Sequence, residues 1–339
     1  MRGVIMHAPG DVRVEEREQP TIVEPSDAII RLAATCICGS DLWPYRGVER
    51  VRDAPMGHEY AGVVTEVGAE VRNVKVGDFV VGSFFASDNT CEICQAGYQS
   101  RCVHTVPMGR IGTQAEFARV PLADGTLVAT PGHPDPELIP SLLAASDVLG
   151  TGWFAAVAAE VGPGKTVAVV GDGAVGLLGI LAAKQLGAER IIAMSRHADR
   201  QALAQRFGAT DIVEERGDAG VAKIKELTHG LGAHSVIEAV GTQEAMEQAI
   251  RATRPGGHVG YVGVSHGVAL DGRELFFSGV HLHGGPAPVR RFLPELIRLI
   301  WDREIDPGVV FDLTLPLEEA AEGYRAMDER RATKVLLTV

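Results

Sequence analysis

The sequence predicts an α/β chain in two parts, a β-rich N-terminal domain followed by a parallel sheet with helices between its strands. Two textures carry that reading. In the first hundred-odd residues "DAIIRLAAT", "YAGVVTEVG" and "GDFVVGSFF" are β-rich runs broken by Gly and Asp, the mark of short strands joined by turns. From about residue 148 the pattern changes. "TVAVV", "RIIAMSR", "HSVIEAVG" and "HVGYVGV" are short apolar strands spaced by helical stretches such as "RQALAQRFGA" and "QEAMEQAIRAT", and such alternation means βαβ units. The tail holds one amphipathic helix, "VRRFLPELIRLIWDREI", and a terminal strand in "RRATKVLLTV".

At 339 residues the chain is long enough for two cores. With 46% hydrophobic and 22% charged residues its composition is that of a globular protein rather than a disordered one. A formal charge of −12 speaks against a nucleic-acid partner, which needs a basic face. Any phosphate-bearing ligand must find locally placed Arg or Lys. The segment "MRGVIMHAPGDVRVEE" has no long apolar run, so the expectation is a cytoplasmic protein with no membrane contact. In that compartment thiols stay reduced, and clustered cysteines point to metal before disulfide.

Gly171, Gly173 and Gly176 form G-x-G-x-x-G directly after the strand "TVAVV". The first allows the turn, the second lets the backbone approach a pyrophosphate, and the third lets the helix pack on the strand. The helix N-terminus then faces the anion. About 20 residues on, an NAD site places Asp or Glu against the ribose 2′-hydroxyl. Here the strand ends in "MSRHADR", with Ser195, Arg196 and, a little further, Arg200, and the reading finds no carboxylate at that corner. A hydroxyl and guanidinium groups suit a 2′-phosphate, so NADP(H) is the expected cofactor. The alternative is a solvated basic turn.

Two further groups of residues suggest metal. "CICGSD" and "GHEYAG" offer Cys38, His58 and Glu59. A Cys, a His and one more ligand around an open fourth position make a catalytic zinc site, although alone His58 reads as an ordinary polar residue and Cys38 as a small buried one. "SDNTCEICQAGYQSRC" holds Cys91, Cys94 and Cys102, three of the five cysteines, an odd number for either disulfides or a tetrahedral metal.

Together these motifs resemble the zinc-dependent medium-chain dehydrogenase/reductase superfamily, alcohol dehydrogenase type, over essentially the whole chain. "GHEYAGVVTEVGAEV" is similar to the family's zinc signature, "CGSD" to its first-ligand turn and "VVGDGAVG" to its cofactor turn. The resemblance implies a GroES-like catalytic domain over 1–147, completed by 287–339, and a Rossmann doubly wound domain over 148–286. It implies Cys38, His58 and, just before "GTG", Asp147 as ligands of a catalytic zinc, with Glu59 near enough to reach the metal transiently. The family's structural zinc uses C-x2-C-x2-C-x7-C, and that spacing is completed here by Asp88 ahead of Cys91, Cys94 and Cys102. Asp is a legitimate ligand; the alternative is a degenerate, metal-free lobe. Thr151 matches a position that contacts the nicotinamide, and Lys334 a basic residue that reaches the cofactor phosphates, unless it is a solvated surface lysine. Phe84 aligns with a substrate-pocket aromatic, or is a core Phe. Cys36 has no assigned role.

The expected function is zinc-dependent, NADP(H)-linked interconversion of an alcohol with an aldehyde or ketone, with two zinc ions per chain. Ser40 matches the family's hydroxyl that bonds the substrate oxygen and starts the proton path. Trp43 stands where a His often passes that proton on, and an indole has no basic nitrogen. Alternatives are a polyol or amino-alcohol dehydrogenase, or a zinc- and NADP-binding protein without turnover. The resemblance also implies a homodimer or homotetramer associating through the Rossmann domains.

Overall fold

A computed structural model describes residues 1–339. The chain divides into two compact units, one made of Met1–Gly150 with Pro288–Val339, the other of Thr151–Ala287. The expected changeovers at 147/148 and 286/287 compare with 150/151 and 287/288, because the helix Val148–Ala158 runs through the first of them. No single helix is long and apolar enough to cross a membrane.

The first unit is built on a seven-stranded sheet. Its longest strand, Ala28–Ile37, is buried at all but two positions, as its run of Ala, Ile and Leu requires. It pairs antiparallel with Tyr60–Val67 on one side and with the C-terminal strand Val335–Thr338 on the other. The register matches Thr35 to Tyr60 and Ile37 to Val335. One end of three neighbouring strands therefore presents Cys38, the pair His58–Glu59 and Lys334 together, although they are far apart in sequence. Ala28, Ile30, Leu32, Tyr60, Val64 and Val80 belong to one core, and Met6, Ile37, Tyr324, Val335 and Leu337 to another.

The second unit is a six-stranded, all-parallel sheet. In order across the sheet the strands are Asp211–Val213, Arg190–Met194, Thr166–Val170, Ala233–Glu238, Thr253–Tyr261 and His281–Gly284. Numbered along the unit this is 3-2-1-4-5-6, the doubly wound order. It reverses direction between Thr166–Val170 and Ala233–Glu238, and ligands of such sheets bind outside the carboxyl ends of the strands there. Side chains such as Val170, Ile192, Met194, Val236 and Val259 are buried in its core, which explains why these strands read as continuous apolar runs rather than alternating ones.

Candidate active site and metal centres

At the sheet end described above, Cys38, His58, Glu59 and Asp147 each direct a ligand atom into one space, all within 4.8 Å of one another. Cys38 follows the central strand directly and opens a short 3₁₀ turn, Gly39–Asp41, that also carries half-buried Ser40. Asp147 comes from the turn after the helix Ile139–Ala145. That turn is fixed to the neighbouring strand by Ser146, whose Oγ donates to Leu143 O at 2.7 Å and accepts from Tyr60 N at 3.2 Å. Asp147 Oδ2 stands 3.2 Å from His58 Nε2 and 3.9 Å from Cys38 Sγ. Burial pushes the Cys38 thiol up, with Lys334 opposing. Burial disfavours the His58 imidazolium, but Cys38 and Asp147 beside it outweigh that and hold its pKa well above the usual value. A divalent ion would displace the thiol proton of Cys38 and take these donors together.

Behind the ligands lies a buried polar layer. Asp41 Oδ1 faces His58 Nδ1 at 3.6 Å, and Oδ2 accepts from Cys38 N at 3.0 Å and from Gln114 Nε2 at 3.1 Å. Tyr324, fully buried, donates its hydroxyl to Gln114 Oε1 at 3.0 Å. A carboxylate on the far nitrogen of a metal-binding imidazole fixes the ring orientation and raises its basicity. Nothing in the spacing of Asp41, Gln114 and Tyr324 singled them out, because each pairing is made across the fold.

Lys334 requires a correction. Its expected place was against cofactor phosphates, with solvent as the alternative, but it is 1% exposed and its Nζ is bonded to Glu59 Oε1. A buried ammonium needs a counter-charge, and the strand register supplies one at the other edge of the same sheet end. Burial works to lower the Lys334 pKa, yet Cys36, Glu59 and Cys38 around it raise it well above the ordinary value. The second oxygen of Glu59, Oε2, is buried with no hydrogen-bond partner. An orphaned carboxylate oxygen beside a Cys–His–Asp set is the kind of vacancy in bonding that a metal ion satisfies. Cys36 packs with Ala34, Leu143 and Leu336, and burial, then Glu59, pushes its thiol well above the usual value. The Phe84 ring stands edge-on to His58, centroids 6.1 Å apart.

The second cluster gathers Asp88, Cys91, Cys94 and Cys102, again within 4.8 Å. All three cysteines are free thiols, with Cys91 Sγ 3.5 Å from Cys94 Sγ and 3.9 Å from Cys102 Sγ. Backbone amides are aimed at the sulfurs: Cys94 N at Cys91, and Asp88 N and His104 N at Cys102. Hydrogen bonds from Val103 and Cys94 lower the Cys91 pKa to about 7, favouring the thiolate that a metal binds. His104 Nδ1 lies 2.7 Å from Asp88 Oδ2, an orienting partner for a carboxylate that stands where the family has a thiolate. A free Cys alone is no site, but four donors this close together fit zinc, which takes four N, S or O ligands. Replacing Asp88 with Ala is expected to reduce the zinc content of the purified protein from two ions per chain to one, read by elemental analysis. One ion per chain in both proteins would contradict a metal in this lobe.

In the second unit the glycine turn joins the strand Thr166–Val170 to the helix Ala174–Gln185. Gly171 takes φ +117°, and a Cβ on Gly176 would lie 2.0 Å from Gly171 O, so both positions need glycine. Around Gly173 there is open space, with no atom within 4 Å of its would-be Cβ, and no side chain caps the helix start there. Such a cradle fits a pyrophosphate. Thr151, the first residue of this unit, is buried on the helix Val148–Ala158.

The ribose corner differs from the sequence reading. A carboxylate does stand there: Asp172, from inside the glycine turn. Ser195 Oγ donates to Asp172 Oδ2 at 2.7 Å, and Arg200 lies 3.2 Å from Oδ1. Arg216, just past the strand Asp211–Val213, lies 3.7 Å from Oδ2. Burial lowers the pKa of the Arg216 guanidinium, Asp172 opposes that, and Arg196, exposed nearby, adds a smaller lowering by repulsion. Sequence reasoning looked for an acid only after the second strand, and neither Asp172 nor Arg216 lies there.

Family models match both units: one described as an alcohol dehydrogenase GroES-like domain over residues 24–131, another as a zinc-binding dehydrogenase over 174–302. Zinc-type alcohol dehydrogenase B of Aspergillus flavus is 34% identical, over 99% of this chain and 81% of its own length. Among solved structures, the alcohol dehydrogenase TADH from Thermus sp. ATN1 is 32% identical with a TM-score of 0.91, covering 100% of both chains. Two further neighbours differ in cofactor. One is an NAD-dependent alcohol dehydrogenase, 30% identical, TM-score 0.86, covering 100% of both chains. The other, from Sinorhizobium meliloti 1021, was solved bound to NADP and is 25% identical, TM-score 0.85, covering 100% of this chain and 99% of its own.

Proposed function

Since the chain belongs to the zinc-dependent medium-chain dehydrogenase/reductase superfamily, we propose that it is an NADP(H)-dependent oxidoreductase that interconverts an alcohol with an aldehyde or ketone. The observation that carries the reading is the convergence of Cys38, His58 and Asp147 beside the unpartnered Oε2 of Glu59. When bound, zinc supplies a Lewis acid for the substrate oxygen and the nicotinamide supplies or takes the hydride. The residues do the rest. Cys38, His58 and Asp147 hold the metal, and Asp41 keeps the imidazole of His58 oriented. Two of those ligands are anionic, which matches the charge of a divalent ion. The ammonium of Lys334 neutralises Glu59 separately, leaving that carboxylate as a reserve donor. Ser40, two residues beyond Cys38, takes the proton from an alcohol or returns it to a carbonyl oxygen. Phe84 and Trp43 give the substrate apolar walls.

The test supplies NADPH deuterated at C4 with a panel of aldehydes and ketones, and NADP⁺ with alcohols, including polyols and amino alcohols. Deuterium on the former carbonyl carbon of the product supports the reading. Carbonyls left unreduced and alcohols left unoxidised by zinc-replete protein would contradict it and favour a protein that binds zinc and nucleotide without turnover.

Cofactor choice follows from the guanidinium groups at the ribose corner. Replacing Arg196 with Ala removes a charge-assisted bond of about 1.5–3 kcal/mol, so affinity for NADPH should fall ~10- to 150-fold with NADH little changed. Steady-state constants for both cofactors decide it, and a native preference for NADH would refute the NADP(H) reading. We also infer self-association through Thr151–Ala287. Phe276 and Phe277 are 79% and 73% exposed there, and the strand His281–Gly284 ends the sheet with an open edge, which stable proteins usually cover. Sedimentation equilibrium should therefore give a dimer or tetramer; a monomer at micromolar concentration would refute this.

A further inference from the structure

At the carboxyl ends of three strands of the second unit, guanidinium groups gather around a carboxylate, Asp172, that sits on the inside. Asp172 lies two residues past the strand Thr166–Val170, Ser195 one residue past Arg190–Met194, and Arg216 three past Asp211–Val213. The three strands are adjacent and in register, Val170 with Met194 and Met194 with Val213. Their carboxyl ends thus deliver these side chains to one place. The Asp172 and Arg200 side chains are 16% and 18% exposed, and Arg216 is 32% exposed, so the group is shielded enough for its charges to act strongly on one another.

We propose that Asp172 sets cofactor selectivity, as an internal counter-ion that competes with the ribose 2′-phosphate for Ser195, Arg200 and Arg216. This rests on the reading above that the corner accepts a 2′-phosphate. Without ligand, Asp172 accepts the hydroxyl hydrogen of Ser195 and pairs with two guanidiniums, so the donors are already arranged around an anion. A 2′-phosphate brings nearly two negative charges and three acceptor oxygens. It must share or take over those donors within a few ångströms of a like charge, which opposes it. A cofactor with a plain 2′-hydroxyl meets the opposite situation: the carboxylate can accept that hydroxyl, the role given elsewhere to an acid at the end of the second strand. Asp172 therefore lowers discrimination, and Arg216 is a third phosphate partner that offsets it.

The consequence is that removing the charge, while keeping the shape and the bond from Ser195, sharpens the preference for the phosphorylated ligand. Calorimetric titration of native protein, Asp172→Asn and Arg216→Gln with adenosine 2′,5′-bisphosphate and with adenosine 5′-monophosphate reads this without turnover. In Asp172→Asn the bisphosphate is expected to bind about tenfold or more tighter, and the monophosphate no tighter than to native protein. In Arg216→Gln the bisphosphate weakens ~10-fold or more and the monophosphate changes little. Unchanged or weaker bisphosphate binding by Asp172→Asn, with the monophosphate still bound, overturns the proposal while leaving the NADP reading intact. If native protein favours the monophosphate and Asp172→Asn shifts the ratio toward the bisphosphate, the NADP reading fails and the role of Asp172 stands. Failure of native protein to bind either nucleotide overturns both.

Discussion

Replacing Lys334 with Met is expected to destabilise the catalytic unit by ~3–5 kcal/mol, because it leaves the Glu59 carboxylate buried without its counter-ion. Lys334 and Glu59 are 1% and 0% exposed, so water cannot stand in for the lost partner. Lys334 and Glu59 lie 275 positions apart in sequence, which makes the pair a direct report on whether the C-terminal strand is seated beside Ala28–Ile37. The double replacement Glu59→Gln with Lys334→Met removes both charges and should recover most of the loss. Equilibrium denaturation of the two variants and native protein, done with zinc-depleted samples so that metal binding does not enter, reads the difference. If Lys334→Met is as stable as native protein but binds NADPH poorly, Lys334 serves the cofactor and the buried pair does not describe the folded protein.

Ser40→Ala is expected to lower kcat by ~10²–10⁴, the range for a positioned proton-transfer group, while the zinc content of the protein stays at the native level. Ser40 is the one hydroxyl in the 3₁₀ turn that starts at Cys38, and no basic side chain follows it at Trp43. The indole N–H donates only, so an indole cannot relay the proton as an imidazole does, and Trp43→Phe should largely preserve turnover. Trp43→His should introduce a new ionisation near neutral pH into the profile of alcohol oxidation. Equal losses in Ser40→Ala and Trp43→Phe would show that Trp43 has a chemical role.

What could be read in the chain depended on whether the signal was local. The glycine turn, the clustered Cys91, Cys94 and Cys102, and the alternation of strands and helices are each contained in a few tens of residues, and they carry the fold class and the dinucleotide turn, while the family's spacing adds Asp88 to the cysteines. Asp147 was accessible only through the family's pattern, since a lone acid before a helix carries no signal of its own. Contacts made across the sheet were not legible. Lys334 meets Glu59 because strand register brings positions 275 apart in sequence together, and the Asp41–Gln114–Tyr324 layer joins three elements in the same way. At the ribose corner the error had a different origin. A carboxylate at the end of the second strand is a local signal, whereas the parallel sheet brings three strand ends, and Asp172 with them, to a single corner.

If the Cys38–His58–Asp147 cluster carries a metal, turnover should depend on it. The direct measurement follows NADPH consumption with an accepted aldehyde or ketone in native protein, after removal of metal by a chelator, and after restoration with zinc, each sample with its metal content determined. The prediction is loss of turnover as the ion at this cluster leaves, recovery with added zinc, and no recovery in His58→Ala, which has lost the set's nitrogen donor. Full NADPH-dependent turnover in protein shown to contain no metal would contradict it.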